Sequence, residues 1–164
     1  MIKKKVCMLG SFAVGKTSLV QQFVRSIFSE KYQTTIGVKI DQKDLEIEGE
    51  TVKLLLWDIH GEDDFQKVKA SYLTGASGFM LVADGTRSGT LDVANDLKEL
   101  ADNAIGEKPF LLLINKNDLA EDWELSDAEV ERLKSKGWKV FFTSAKTGEN
   151  VETAFQLLTQ QMVR

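Results

Sequence analysis

Short runs of apolar and β-branched residues recur along the chain and alternate with longer stretches whose apolar positions fall three and four apart. The runs "KVCMLG", "VKIDQKDLEI", "TVKLLLWDI", "GFMLVAD", "PFLLLIN" and "WKVFFTS" predict six strands. Helical spacing follows the first, third, fourth, fifth and sixth of them. It is clearest at the end, where Val151, Phe155, Leu158 and Met162 share one face and are expected in the core. "IEGET", with Gly49 between the second and third runs, reads as a hairpin turn, so those two strands should pair antiparallel. The remaining strands alternate with helices and should run parallel. The expected fold class is α/β: a doubly wound, six-stranded, mostly parallel sheet with one antiparallel edge strand and helices on both faces. Pro109 simply opens a strand, and neither repeats nor low-complexity segments interrupt the pattern.

Composition narrows the picture. At 164 residues and 43% hydrophobic, the chain supports one sizeable core and is short for two, so a single domain over 1–164 is expected. A net charge of -4 argues against a nucleic-acid partner held by nonspecific phosphate contacts. The early cluster Lys3, Lys4 and Lys5 is expected to solvate the start of a strand. Cys7 is the one cysteine, which rules out an internal disulfide, and its apolar neighbours predict a buried thiol in a reducing, cytoplasmic setting. No apolar stretch of signal-peptide or membrane-span length appears. Position 2 is Ile2 rather than glycine and "QQMVR" holds no cysteine, so no lipid anchor is expected in this chain and any membrane contact would run through a partner.

The chemistry starts with "GSFAVGKTSL". Gly10, Gly15, Lys16 and Thr17 match G-x-x-x-x-G-K-[ST], after a buried strand and at the opening of a helix, where the pattern has physical meaning. Backbone N–H groups of such a loop wrap a β-phosphate at a helix N-terminus, the lysine bridges phosphates and the threonine hydroxyl holds Mg²⁺. The candidate phosphate-binding set is therefore Gly10, Ser11, Phe12, Ala13, Val14, Gly15, Lys16, Thr17 and Ser18.

That motif does not choose between bases. "NKND", Asn115 to Asp118, follows the apolar strand "PFLLLI" and so stands at the carboxyl end of the sheet, where open α/β sheets bind ligands. A carboxylate at Asp118 can accept from the N1–H and 2-amino group of guanine, a donor pair that adenine lacks. "TSAKTG" also follows a strand: Ser144 belongs to it, the Ala145 N–H is a candidate donor to the guanine O6, and Lys146 can pack on the base. Asn115, Lys116, Asp118, Ser144, Ala145 and Lys146 form the candidate base site.

With these three motifs in order, the chain resembles the Ras superfamily of small GTPases over nearly its whole length. "YQTTIGVKI" followed by "LLLWDIHGED" is most similar to the Rab branch. The resemblance implies a phosphate-loop G domain that binds GTP, GDP and Mg²⁺ and meets effectors, an exchange factor and an activating protein through its switch loops. It implies that Thr35 closes on Mg²⁺ and the γ-phosphate, that Asp58 holds Mg²⁺ through water, that the Gly61 N–H meets the γ-phosphate and that Phe28 stacks across the guanine. If Thr35 and Gly61 both bond the γ-phosphate, their loops are ordered only with GTP, and a partner that reads the loops reads the nucleotide.

Two departures bear on turnover. The family commonly has a small residue where this chain has Phe12, and D-T-A-G-Q where it has Asp58, Ile59, His60, Gly61 and Glu62. A glutamine orients the attacking water and donates to the transition state, whereas an ionised carboxylate only accepts and adds repulsion. Glu62 as a general base is the other reading, but a loose transition state gains little from early deprotonation, so slow hydrolysis is expected, with Lys16, Thr35, Gly61 and Glu62 as the catalytic set. Phe12 would crowd an incoming arginine. His60 stands open between a role near the phosphate and a place on the switch surface. Glu62, Asp63 and Asp64 give that loop an acidic face suited to a basic partner. Arg87, after "VADGT", is expected nearer the nucleoside than the γ-phosphate and receives no role. The competing functions are a GTP-hydrolysing switch, a GTP-binding module with negligible hydrolysis, either a scaffold or a piece of a larger protein, and a kinase, for whose lid no spare segment is evident.

Overall fold

The computed structural model describes residues 2–26, 28, 37–60 and 69–164, with His60 described in its backbone alone. Six strands form one sheet in the order β2-β3-β1-β4-β5-β6. They are β1 (Ile2–Gly10), β2 (Gly37–Ile47), β3 (Glu50–His60), β4 (Gly78–Asp84), β5 (Phe110–Asn115) and β6 (Val140–Phe142). β2 pairs antiparallel with β3, and every other pairing is parallel. The hairpin joining β2 to β3 has Glu48 at φ 52° and Gly49 at φ 84°, the left-handed pair that lets a two-residue turn follow the twist of its strands. All six strands, the antiparallel edge and the hairpin answer the pattern read from the sequence.

Side chains along each strand alternate between two apolar layers, as a pleat requires. On one face Val6, Met8, Met80, Val82, Leu111 and Leu113 meet α1 (Lys16–Arg25) and α4 (Val151–Val163). On the other, Cys7, Leu9, Phe79, Leu81, Leu112 and Ile114 meet α2 (Gly89–Ile105) and α3 (Asp127–Ser135). The expected stripe Val151, Phe155, Leu158 and Met162 is buried, and the Phe155 ring stacks on Phe23 with centroids 4.1 Å apart. Two boundaries differ from expectation. β1 begins earlier, because Lys3 and Lys4 pair with β3 and Lys5 lays its ammonium 3.6 Å from the Trp57 ring centroid while donating to the Thr74 carbonyl. β6 is shorter, because Trp138 turns edge-on against Phe110 and because Thr143 and Ser144 bond to the loop after β5 and to its own turn. The helix expected after β3 falls largely outside the described residues; what is described there is one 3-10 turn, Ala70–Leu73.

The carboxyl ends of β1, β3, β4 and β5 lie along one edge of the sheet. β1 leads into a helix on one face and β4 into a helix on the other, which opens a crevice between them at the switch in winding direction. Phe155→Ala should remove the centre of the α1–α4 layer and cost about 3–5 kcal/mol, comparable with much of a domain's total stability. Urea unfolding checks this, and an unchanged midpoint would contradict the packing.

Candidate functional site

The turn after β1 runs from Gly10 to the first residue of α1, Lys16. Gly15 sits at φ 105°, and a Cβ there would come 2.2 Å from the Asn115 Nδ2, so the loop's second glycine is fixed by conformation and by contact alike. Asn115, the last residue of β5, is hydrogen-bonded through both ends of its amide. Its Nδ2 donates to the Val14 carbonyl at 3.0 Å, and its Oδ1 accepts from the Ala145 N–H and the Thr143 hydroxyl, both at 3.2 Å. One side chain thus joins the loops after β1, β5 and β6. Lys116, in the left-handed region at φ 72°, donates from Nζ to the Ala13 carbonyl at 3.4 Å and pairs with Asp84 at 2.8 Å.

Lys16 is only 3% exposed, and its Nζ donates to the carbonyls of Gly10 at 2.9 Å and Ser11 at 3.1 Å. Burial pushes its pKa down to about 8; the Asp58 carboxylate opposes this and the Arg87 guanidinium adds to it. Asp58, near the end of β3, accepts from the Thr17 hydroxyl on Oδ2 at 2.5 Å, which brings together two residues expected to share a metal. Among the described residues its Oδ1 is buried without a hydrogen-bond partner, an arrangement that costs free energy unless something positive meets it. Among the described residues no group of three or more His, Cys, Asp or Glu gathers to cage a metal. A hydroxyl, a carboxylate oxygen and substrate phosphates are the set Mg²⁺ favours, so the residues present fit it.

At the base end, Asp118 accepts on Oδ1 from the Ser144 hydroxyl at 2.7 Å, and the Ser144 oxygen accepts from the Thr147 N–H at 3.1 Å. The Ala145 carbonyl accepts from Gln22 Nε2 at 2.8 Å, tying that loop to α1. The Ala145 N–H, read from the sequence as a donor to the base, here serves Asn115. Phe28 is 39% exposed, as a ring offered to a ligand must be. Thr35, Gly61 and Glu62 lie outside the described residues, as does the side chain of His60.

Two residues were not picked out in the sequence. Asp84, at the end of β4, is 0% exposed, and its Oδ1 accepts from the N–H and hydroxyl of Thr86 at 2.9 and 2.7 Å. Burial pushes the carboxyl up, but hydrogen bonds from Lys116 and Thr86 outweigh it and hold Asp84 below the usual carboxylate range. Its signal was an acid closing an otherwise apolar strand, a placement that demands a cation. Trp123 lies against Gly85 and donates from Nε1 to the Lys116 carbonyl at 3.1 Å, backing the base loop from below. Arg87 has a contact that the sequence did not suggest: its long side chain reaches back, and Nη2 donates to the Phe12 carbonyl at 2.8 Å.

The fold and these loops define a phosphate-loop G domain. The Ras family profile matches residues 5–164. Ras-related protein RABA2a of Arabidopsis thaliana is 35% identical over 162 residues, covering 98% of this chain and 75% of that protein. Ras-related protein YPTC6 of Chlamydomonas reinhardtii is 36% identical over 162 residues, 95% and 74%, and Ras-related protein Rab-13 of Mesocricetus auratus 33% over 161 residues, 97% and 79%. The chain belongs to the Ras family: it is a Rab-like small GTPase, a guanine-nucleotide-binding switch. No described helix is long and apolar enough to cross a membrane.

A phosphate bound beside Lys16 would make binding pH-dependent: it would stabilise the charged lysine, so the complex would keep a proton that the free protein sheds above about 8. GDP affinity should fall about tenfold between pH 7 and 9, read by titration with a fluorescent GDP; a flat profile would mean that the lysine stays charged. The nucleotide-free fold should show the opposite trend. Its folded pKa lies below the ordinary 10.5, so stability should rise with pH between about 8 and 10.5, where the unfolded chain holds the extra proton.

Proposed function

We propose that residues 1–164 act as a single G domain that binds GDP and GTP with Mg²⁺ at this site and hydrolyses GTP slowly. The observation that carries the reading is the Asn115 side chain, which holds the phosphate loop and the loop bearing Ala145 at once and so sets a fixed span between a phosphate site and a base site. Lys16 stands at the mouth of the phosphate loop, ready to exchange two carbonyls for phosphate oxygens. Thr17 and Asp58 are the residues that would hold the metal, which would supply neutralisation of phosphate charge. Asp118, oriented by Ser144, selects guanine, and Phe28 and Lys146 flank the base. Thr35 and Gly61 sense the γ-phosphate, so effectors, an exchange factor and an activating protein dock on the loops around Thr35 and Glu62. A cytoplasmic location accompanies this reading. The buried Cys7 thiol, pushed up to about 12 by burial, is inert and asks for no oxidising compartment.

Asp118→Asn should weaken GDP binding at least tenfold and improve binding of xanthine nucleotides, because each hydrogen bond to a charged group is worth about 1.5–3 kcal/mol and an amide can donate to the xanthine C2 oxygen. Unchanged GDP affinity would remove the guanine assignment.

Turnover tests the other half. Glu62 puts a carboxylate where an amide would both orient water and donate to the transferring oxygens, so Glu62→Gln should raise single-turnover hydrolysis about tenfold, which corresponds to about 1.4 kcal/mol, with little change in GDP affinity. A fall in rate would identify the carboxylate as the base. No hydrolysis in either protein would favour a binding module that signals by occupancy.

A further inference from the structure

Three successive carbonyls of the phosphate loop are fastened from the protein side. Phe12 is held by Arg87 Nη2 at 2.8 Å, Ala13 by Lys116 Nζ at 3.4 Å, and Val14 by Asn115 Nδ2 at 3.0 Å. The peptide bonds are trans, so each carbonyl points opposite to the N–H of the next residue. Fastening the three carbonyls turns the N–H groups of Ala13, Val14 and Gly15 the other way, into the concavity that would receive an anion. Among the described residues no backbone carbonyl accepts from any of these three N–H groups.

The first clamp, like that of Lys116, is mounted on a second side chain, whereas Asn115 is itself a strand end. Arg87 lies in the turn between β4 and α2, and its Nε is 3.1 Å from Asp84 Oδ2, the same oxygen that pairs with Lys116. Asp84 is fully buried and its other oxygen is occupied by Thr86, so it cannot turn away. A planar guanidinium anchored at Nε has its Nη2 direction fixed, which is what a clamp on a single carbonyl needs. The Arg87 side chain itself is 43% exposed, so it gives the loop little packing; what it contributes is direction.

We infer that Arg87 is a positioning residue for nucleotide binding: mounted on Asp84, it fastens the Phe12 carbonyl and thereby presents the Ala13 N–H to the phosphates of a bound guanine nucleotide. The inference rests on reading this loop as a guanine-nucleotide site. The alternative for the same residue is a positive charge that attracts phosphates from nearby, and the two differ in what can replace arginine.

The test is the dissociation rate of fluorescent GDP from the wild type, Arg87→Ala, Arg87→Gln and Arg87→Lys, at low salt and at 0.5 M KCl. Removing one charge-assisted clamp should speed release about tenfold in Arg87→Ala, and the acceleration should persist in high salt. Arg87→Gln, neutral but able to donate, should recover part of the loss, whereas Arg87→Lys, with one point donor to share between Asp84 and Phe12, should not reach the wild type. In the ¹⁵N-labelled GDP complex the Ala13 amide resonance should move more in Arg87→Ala than those of Val14 and Gly15. Full rescue by lysine with none by glutamine, or loss of the effect in high salt, would overturn positioning in favour of charge. Release within twofold of the wild type in all three variants would overturn it outright while leaving nucleotide binding standing. A wild type that binds no GDP would remove the proposed function instead. Should Arg87→Ala fail to fold, the glutamine and lysine variants decide between the two roles by themselves.

Discussion

A loop that offers its backbone N–H groups to an anion must turn its carbonyls the other way, and those carbonyls must be paired if they are not to cost free energy on the inside of the protein. Here they are met by Asn115, Lys116 and Arg87, and the sheet order explains why such donors are available. β4 lies beside β1 and β5 beside β4, so the residues at their carboxyl ends, Asp84 and Asn115, arrive directly beneath the phosphate loop. The same requirement explains the lack of room at Gly15, where Asn115 comes closer than any Cβ allows. Packing of the two apolar layers fixes the strands, the strands fix the donors, and the donors fix the loop.

Electrostatics at the site pull against stability. Lys16 is buried against two carbonyls, Asp58 keeps a buried oxygen that meets no partner among the described residues, and Arg87 adds positive charge near the lysine. Each arrangement costs free energy that an anion beside the lysine and a cation beside Asp58 would return. Ligand binding to the native state alone adds to stability by mass action, so a G domain built this way gains most where its ligand is abundant. A buried carboxylate does not have to behave like Asp58. Asp84 is equally deep, yet it meets two cations and a threonine and stays ionised, which makes it part of the scaffold that holds the loop.

Much of this was legible in the residues. The period-two runs marked six strands, "IEGET" marked the hairpin, and the helical stripe ending at Met162 marked a buried face, because each is a local pattern with one physical reading. The pairing of Thr17 with Asp58 was legible only through family resemblance, since 41 positions separate them. Asn115 was read as part of a base-recognition motif; that its amide also joins the phosphate loop to the loop bearing Ala145 was not, because no local pattern encodes the proximity of those loops. The contact of Arg87 with the phosphate loop was not legible for a related reason: the reach of its side chain back across the crevice depends on Asp84 holding the other side of the guanidinium.

Arg87 and Phe12 are best understood together. Phe12 puts a bulky side chain in the phosphate loop, and a rotation of the peptide that follows it would carry the Ala13 N–H out of line. A guanidinium bonded to the Phe12 carbonyl opposes that rotation where it would begin, and the buried Asp84 keeps the guanidinium from following the loop. On the proposed reading, the ring that hinders access to the γ-phosphate and the arginine that steadies its backbone favour the same outcome: a nucleotide held firmly and turned over slowly.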